Sequence, residues 1–313
     1  MSSLKCGIVG LPNVGKSTLF NALLKKRVAL SANYPFATVE PNVGVVAVPD
    51  ERLIKLAELV KSEEKMENLP PIVPAAVEFV DIAGLVKGAS TGEGLGNQFL
   101  SHIREVDAIV HVLRDFEDPN VVRAGGSVNP KEDKELVETE LALADIDKVD
   151  KLSTKPVLYV LNVDENEYAD KLRDPSLIAR DDNIVICAKL EEELADLSEE
   201  ERLEYLKTLG LEQTGLERLI QAAYNLLGLI SFLTAGKKEV RAWTVKSGTN
   251  AQMASGVIHT DFIKNFIRAQ VIEYEKLIEA GSYGEAKKRG WIRTEGKDYV
   301  VKDGDVVEFL VGT

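Results

Sequence analysis

The sequence predicts an α/β protein of two domains: a mainly parallel sheet covered by helices on both faces, then a small mixed module. Short, continuously apolar runs of strand character alternate with helical patterns over most of the chain. A glycine-rich loop joins the first of these runs to the first helix. From Glu239 onward, apolar and polar residues alternate as in a half-exposed strand. We therefore place the domains at residues 1–236 and 237–313.

The composition is that of an ordinary globular protein with an acidic surface. The chain has 313 residues, 45% of them hydrophobic and 28% charged, with a net charge of −13. Residues 237–313 carry 13 Lys and Arg against 11 Asp and Glu, so the acidity lies in the first domain. This distribution argues against non-specific nucleic-acid binding by the whole protein and leaves it open for the second domain.

The expected location is the cytoplasm. The two cysteines, Cys6 and Cys187, each lie in an apolar stretch, which is typical of buried thiols in a reducing compartment. No basic and then apolar leader begins the chain, and no apolar run approaches 18 residues. We expect no membrane contact and, without a heptad repeat, a monomer.

The loop at residues 10–18 fits the pattern G-x-x-x-x-G-K-[ST] of a phosphate-binding P-loop. A strand-like run precedes it and a helical pattern follows, which is the context that the motif requires. Lys16 is expected to reach the β- and γ-phosphates, and the Ser17 hydroxyl to bind Mg²⁺. The residues predicted to contact the nucleotide here are Asn13, Val14, Gly15, Lys16, Ser17 and Thr18.

Further elements follow in alternation. Strands are predicted at 43–48, 76–80, 108–113, 156–163 and 183–187, and helices at 52–60, 99–105, 131–151 and 215–229. In the second domain we predict a strand at 240–245, a helix at 261–269 and a hairpin over 299–310 with an Asp-Gly type of turn.

Two stretches supply the other half of a nucleotide switch. Thr38 lies in the loop after the first helix, where its hydroxyl is expected to join Ser17 on the metal. Asp81 ends a strand and is expected to hold Mg²⁺ through water, and the Gly84 N–H to meet the γ-phosphate. The sequence therefore predicts a magnesium site formed by Ser17, Thr38 and Asp81.

These motifs, together with residues 33–38, 81–89, 94–99, 162–165 and 257–262, resemble those of the Obg-like ATPases of the YchF subfamily, which are translation-factor-class P-loop proteins. The C-terminal module resembles a TGS domain, a ubiquitin-like β-grasp fold. The family usually carries a long helical hairpin before the strand at Pro156. Residues 150–155 bridge that place almost directly, so the hairpin and its partner contacts are expected to be missing here.

The choice of base depends on residues 162–165. GTP-binding relatives carry Asn-Lys-x-Asp there, whereas this chain has Val163 for the Lys and Glu165 for the Asp. A carboxylate on a longer arm loosens the clamp on guanine, and Asn162 can still read the N6/N7 edge of adenine. The resemblance also implies ATP. Cys187, which ends the last predicted strand, and Ala188 and Lys189, which follow it, are predicted to complete the nucleotide site.

Hydrolysis is expected to be slow, because Leu85 stands where Ras-like relatives carry a water-positioning Gln. One candidate for a substitute is Asn13, which resembles the P-loop Asn of potassium-activated relatives and would act with a bound K⁺. Others are Lys87, Arg123 or a partner, and Lys16 and Gly84 complete the predicted catalytic set. His111 lies within a strand, and we interpret it as a core residue rather than a base.

The leading interpretation is an ATPase switch that reports its nucleotide state to the ribosome or translation machinery. The TGS-like domain would make the contact, with RNA reached by basic and aromatic residues, namely Lys264, Arg268, Lys287, Lys288, Arg289, Phe266, Tyr283 and Trp291. For Phe266 and Trp291 we favour packing in the core. The alternatives are a nucleotide-dependent binding scaffold with little hydrolysis and a guanine-specific GTPase.

Overall fold

Two six-stranded sheets organise the chain, and each belongs to a different unit. The computed structural model describes residues 4–27, 42–82, 95–117, 128–146, 151–174 and 183–312. The first unit comprises Met1–Ala47 and Val77–Leu227, and the second comprises Val48–Ala76 and Gly228–Thr313. The second unit thus begins before residue 237 and includes Val48–Ala76, which the sequence predicts to lie in the first domain.

In chain order the strands are β1 (Lys5–Val9), β2 (Val43–Ala47), β3 (Ile72–Val73), β4 (Ala76–Asp81), β5 (Ala108–Asp115), β6 (Val157–Val163), β7 (Asn183–Ile186), β8 (Leu229–Ala235), β9 (Val240–Lys246), β10 (Phe266–Glu273), β11 (Arg293–Glu295) and β12 (Asp305–Val311). The helices are α1 (Lys16–Arg27), α2 (Arg52–Glu64), α3 (Leu95–Arg104), α4 (Pro130–Ala144), α5 (Glu165–Lys171), α6 (Ala188–Leu194), α7 (Glu199–Thr208), α8 (Gly215–Leu226), α9 (Ala251–Ile258), α10 (Asp261–Asn265), α11 (Tyr274–Ala280) and α12 (Tyr283–Lys288). None of the helices within the described ranges is long and apolar enough to cross a membrane.

The sheet of the first unit has the strand order β2-β4-β1-β5-β6-β7. All pairs from β4 to β7 are parallel. In β5, seven of the eight residues are buried, because helices cover both faces of the central strands. The predicted α/β class with a mainly parallel sheet is confirmed. The carboxyl ends of β1, β4, β5, β6 and β7 consequently meet along one edge, where ligands of such sheets bind.

The connection from α4 to β6 is short. The predicted helix over 131–151 ends at Ala144, because Asp145 turns its carboxylate to the backbone N–H groups of Leu152 (2.7 Å) and Ser153 (2.8 Å). These hydrogen bonds lower the pKa of Asp145 against the opposing effect of desolvation. Leu152 is buried in the core beside α4, so the end of α4 is tied directly to the start of β6.

The sheet of the second unit has the order β11-β10-β12-β8-β9-β3. Its first long strand, β8, and its last, β12, are parallel neighbours at the centre, and each has an antiparallel partner on its other side. This is the topology of the predicted β-grasp domain, extended at one edge by β3.

Two local predictions in this unit were wrong. The predicted helix 261–269 ends at Asn265, and Ala269 and Val271 are fully buried on one face of strand β10. Tertiary pairing with β11 and β12 favours period two over the helical spacing. Residues 299–310, all of them described, do not form the predicted hairpin, because β12 pairs with β10 and β8 while Val300 pairs with Asn250.

Candidate functional site

The P-loop connects β1 to α1 in a conformation that requires both of its glycines. Gly10 has φ +154° and Gly15 has φ +94°, which L-residues with a side chain rarely adopt. A Cβ atom at Gly10 would lie 2.5 Å from the carbonyl oxygen of Val112, and one at Gly15 would lie 2.2 Å from Nδ2 of Asn162. The loop is therefore packed tightly against the ends of β5 and β6.

Lys16 begins α1 and turns back over the loop. Its Nζ donates hydrogen bonds to the carbonyl oxygens of Gly10 (3.0 Å) and Leu11 (2.8 Å). Burial lowers the pKa of Lys16, and the carboxylate of Asp81 opposes the shift. A buried ammonium group on the inner side of a P-loop is placed to meet phosphate oxygens.

The described part of the predicted magnesium site has suitable oxygen donors. Asp81 is the last residue of β4 and pairs with Ile8 of the strand that leads into the P-loop. Burial raises the pKa of Asp81, and Lys16 opposes the shift. The Ser17 side chain is exposed on the first turn of α1. A hydroxyl and a carboxylate suit Mg²⁺, which prefers oxygen ligands. Thr38, Gly84, Leu85, Lys87 and Arg123 lie outside the described residues.

A cavity of about 660 Å³ joins the P-loop to the ends of β5, β6 and β7. It is lined by Asn13, Gly15, Lys16, Ser17, Thr18, Phe116, Glu117, Asn162, Val163, Asp164, Glu165, Asn166, Cys187, Ala188, Lys189 and Glu192. The structure thus brings the P-loop, residues 162–165 and residues 187–189 together in one space. Val14 is buried beneath the loop and is not among the lining residues.

Asn162 bridges two loops of the site, a role that the sequence did not predict, while its predicted reading of the base edge stays a prediction. Its Nδ2 donates to the carbonyl oxygen of Val14 (2.9 Å), and its Oδ1 accepts from the backbone N–H of Ala188 (2.9 Å). Both ends of the amide are therefore engaged with the protein, and the side chain is 4% exposed. Asn162 holds the P-loop and the loop after β7 at a set separation.

The next three residues of this motif face different surroundings. Val163 is 2% exposed and packs in a core cluster with Tyr168 and Val185, so its side chain serves the core more than the cavity. Asp164 caps α5, accepting from the backbone N–H of Asn166 (3.0 Å). Glu165 Oε1 lies 3.5 Å from the hydroxyl of Tyr205. Glu165, which stands where GTP-binding relatives carry the guanine-binding Asp, is thus in contact with Tyr205 of α7.

Five lining residues were not predicted as site residues: Phe116, Glu117, Asp164, Asn166 and Glu192. The first two directly follow β5, so the rule that ligands bind at the carboxyl ends of parallel strands would have found them. Arg114, which is 4% exposed, holds Phe116 in place: its Nε donates to the Phe116 carbonyl (3.0 Å), and its guanidinium carbon lies 4.6 Å from the ring centroid.

His111 is a core residue, as predicted. It is 2% exposed in the middle of β5, and its ring lies 5.8 Å from that of Tyr159. Burial, together with the positive charges of Lys134 and Lys16, lowers its pKa to about 3. The imidazole is therefore neutral at pH 7. Its Nε2 has no hydrogen-bond partner among the described residues, and it does not line the cavity.

Two family profiles match the chain. One, described as a 50S ribosome-binding GTPase, matches residues 5–163, and another, YchF-GTPase_C, described as a protein of unknown function, matches residues 229–312. A structure described as that of the Schizosaccharomyces pombe YchF GTPase aligns with a TM-score of 0.82 at 34% identity. That alignment covers 99% of this chain and 98% of the yeast chain.

Curated relatives are similar over their whole length. Proteins named ribosome-binding ATPase YchF are 45% identical in Bacillus subtilis and 46% identical in Escherichia coli O157:H7, each covering 98% of this chain and 99% or 98% of the relative. The Bacillus alignment spans 369 positions, 56 more than the 313 residues of this chain, so at least 56 positions of the relative have no counterpart here. These positions lie inside the aligned span, and the predicted loss of one helical hairpin near residues 150–155 stays a prediction.

Proposed function

The chain belongs to the YchF family of Obg-like P-loop proteins, and from this membership we propose that it is a magnesium-dependent ATPase that acts as a slow switch on the ribosome. The observation that carries the proposal is the cavity in which the P-loop faces residues 162–165, in a chain 45% identical to ribosome-binding ATPases over nearly its full length.

In this proposal different residues have different roles in phosphoryl transfer. The backbone N–H groups of residues 13–18 and the Lys16 ammonium bind the β- and γ-phosphates. Ser17, Asp81 and Thr38 would hold Mg²⁺, which would supply positive charge to the phosphates when bound. The Gly84 N–H and Lys87 are the further proposed contacts of the γ-phosphate. Leu85 orients no water, which keeps turnover slow.

The base is proposed to be adenine, although the relatives' names differ: the bacterial proteins are called ATPases and the yeast structure a GTPase. Guanine needs a carboxylate to accept from its N1–H and 2-amino groups. The candidate, Glu165, sits on a longer arm beside Tyr205. Asn162 bridges Val14 and Ala188 with one amide hydrogen and one oxygen lone pair, and its second amide hydrogen can still donate to N7 of a purine. Phe116, Ala188 and Lys189 remain to enclose the base by packing.

Calorimetry with ATP and GTP tests this choice. We expect tighter binding of ATP, and a gain of GTP affinity in Glu165→Asp, because the shorter arm restores the guanine clamp. Glu167→Asp is the matched control, since Glu167 lies on the same helix, pairs with Lys171 and does not line the cavity. Tighter binding of GTP by the unmodified chain would contradict the proposal.

We propose that a K⁺ ion bound by Asn13 supplies positive charge for catalysis. This residue has φ +63°, one of two positive values among the non-glycine residues described, and it lines the cavity. We expect faster phosphate release in KCl than in NaCl. Asn13→Gly, which keeps the positive φ accessible and removes the side-chain oxygen, should abolish that difference. Equal rates in both salts for the unmodified chain would exclude this role.

The ribosome contact is proposed for the second unit, at a patch formed by Lys264, Ile267 and Arg268. All three side chains are exposed, and within the described residues the two basic ones are in no ion pair. Of the other predicted basic residues, Lys287 is also exposed, whereas Lys288 and Arg289 are less available because they pair with Glu285 (3.3 and 3.5 Å).

The surroundings of the predicted aromatic residues favour a role in packing within the protein over stacking on RNA bases. Phe266 packs edge-on against Phe309 at 6.1 Å, Trp291 lies beneath the Arg289 guanidinium at 4.9 Å, and burial raises the pKa of Tyr283 well above its usual range. The patch is thus suited to phosphate groups more than to bases.

Co-sedimentation with purified ribosomes over a salt series tests the patch. Lys264→Ala with Arg268→Ala is expected to weaken binding and to lower the slope of log affinity against log salt by about one per residue. The ion-paired residues provide the control, as Lys288→Ala with Arg289→Ala should change the slope less. An unchanged slope in the Lys264→Ala, Arg268→Ala variant would mean that the ribosome contact does not lie at this patch.

A further inference from the structure

Residues 48–76, which we call the excursion segment, leave the first unit and return to it. They follow β2 directly and lead into β4. These two strands are neighbours at one edge of the first unit's sheet. Yet the segment belongs to the second unit. The chain therefore passes between the units three times, after Ala47, after Ala76 and after Leu227, and two of these passages start or end in that pair of strands.

Apolar packing and strand pairing build the excursion segment into the second unit. Helix α2 buries five residues of one face, namely Leu53, Leu56, Ala57, Leu59 and Val60. Strand β3 extends the second sheet by pairing in parallel with β9, Ile72 opposite Val240 and Val73 opposite Arg241. Burial of this kind contributes roughly 1.5–3 kcal/mol for each large side chain.

Charged groups fasten both ends of α2. At its start, the Arg52 guanidinium binds Asp50 (2.8 Å) and Asp303 (2.7 Å), and Asp303 also accepts from the backbone N–H of Ser231 (2.8 Å). At its end, the Glu63 carboxylate accepts from the backbone N–H groups that open α12, at Tyr283 (3.0 Å) and Gly284 (3.1 Å). These contacts hold the segment to two separate parts of the second unit, and Asp303 connects one of them to β8.

The other ends of β2 and β4 lie at the proposed magnesium site. There the backbone N–H of Asp81 donates to the carbonyl of Asn42 (2.9 Å), and at the opposite end the N–H of Val48 donates to Ala75 (2.8 Å). The two strands thus form an antiparallel ribbon of five and six residues, about 17–20 Å long. The ribbon joins Asp81, which would hold Mg²⁺ in the proposed function, at one end to the excursion segment at the other.

We propose that the excursion segment transmits the nucleotide state of the first unit to the second. A change at Asp81 when the γ-phosphate is lost shifts the β2–β4 ribbon, and the ribbon continues as chain into α2 and β3, which the second unit holds. This inference rests on the proposed function, because it takes Mg-nucleotide binding at Asp81 as its input. Coupling of this kind is reciprocal, so loosening the anchors must alter the affinities for nucleotide.

The test compares affinities of the full chain for Mg-ADP and for a non-hydrolysable Mg-ATP analogue. Arg52→Ala and the milder Glu63→Gln are expected to change the ratio of the two affinities by about fivefold or more, the lower range of measured allosteric couplings. Arg293→Ala is the matched control, an ion-paired arginine of the same unit that contacts Glu295 and Asp305 rather than the segment. Its ratio should equal that of the unmodified chain.

Amide hydrogen exchange over residues 52–73 supplies a second readout. Protection in the unmodified chain should differ between the ADP and ATP-analogue states, and the difference should fall in Arg52→Ala. If all the proteins bind nucleotide with the same ratio of affinities and show the same amide protection, the proposed coupling is wrong but the proposed function still stands. If the unmodified chain binds neither nucleotide, the proposed function fails and the coupling with it.

Discussion

Replacing Gly15 with alanine is expected to lower the affinity for ATP by about 100-fold or more, which corresponds to about 2.8 kcal/mol or more. Two effects combine at this position. The backbone has φ +94°, which costs a residue with a Cβ atom roughly 1–3 kcal/mol. The new Cβ would also lie 2.2 Å from Nδ2 of Asn162, so it would break the bridge from Val14 to Ala188.

A matched control separates these two effects. Gly210 has φ +70°, and a Cβ atom added there would meet none of the described atoms within 4 Å, so Gly210→Ala carries backbone strain without the clash. Calorimetry should show unchanged ATP affinity in Gly210→Ala and nearly lost affinity in Gly15→Ala, with both proteins still folded by circular dichroism. Normal ATP binding by Gly15→Ala would mean that the bridge through Asn162 is unimportant for the nucleotide site.

Replacing Lys16 with methionine is expected to reduce phosphate release by about 10²–10³-fold, as found when one donor to a transition-state charge is removed. The methionine keeps much of the stem but removes the ammonium group that contacts Gly10 and Leu11. Since the charge on the transferred phosphoryl group is delocalised over its oxygens, loss of this cation should affect the rate more than the binding of ATP.

Single-turnover phosphate release with saturating protein measures the Lys16 effect directly. Lys25→Met serves as the control on the same helix, where Lys25 binds Asp196 at 2.6 Å, outside the cavity lining. A rate in Lys16→Met within twofold of the unmodified chain would contradict the assigned role. Undetectable release by the unmodified chain would favour the nucleotide-dependent scaffold over the ATPase.

Much of the fold follows from local sequence alone. Apolar runs such as residues 108–113 indicate strands buried on both faces, and their alternation with helices implies a parallel sheet. The P-loop, Asp81 and residues 162–165 each end or follow a strand, so their meeting at one edge was predictable. Phe116 was predictable by the same rule, although it belongs to no motif, because it directly follows β5.

Other features depend on partners that are distant in sequence. The Asn162 side chain forms hydrogen bonds to the backbone of both Val14 and Ala188, which lie 148 and 26 residues away along the chain. Residues 266–269 continue a helical spacing but form a strand, because β11 and β12 offer hydrogen-bonding partners on both sides.

The sequence by itself determined the chemistry proposed for this protein: a loop of the phosphate-binding pattern, oxygen groups suited to a metal, and an altered guanine motif. Only the tertiary structure decided that residues 48–76 belong to the second unit, because their helical and strand patterns suit burial against any apolar surface. Long-range contacts select that surface, through the pairing of Ile72 with Val240 and the ion pair of Arg52 with Asp303. The strands beside the proposed magnesium site are thereby continuous with the second unit.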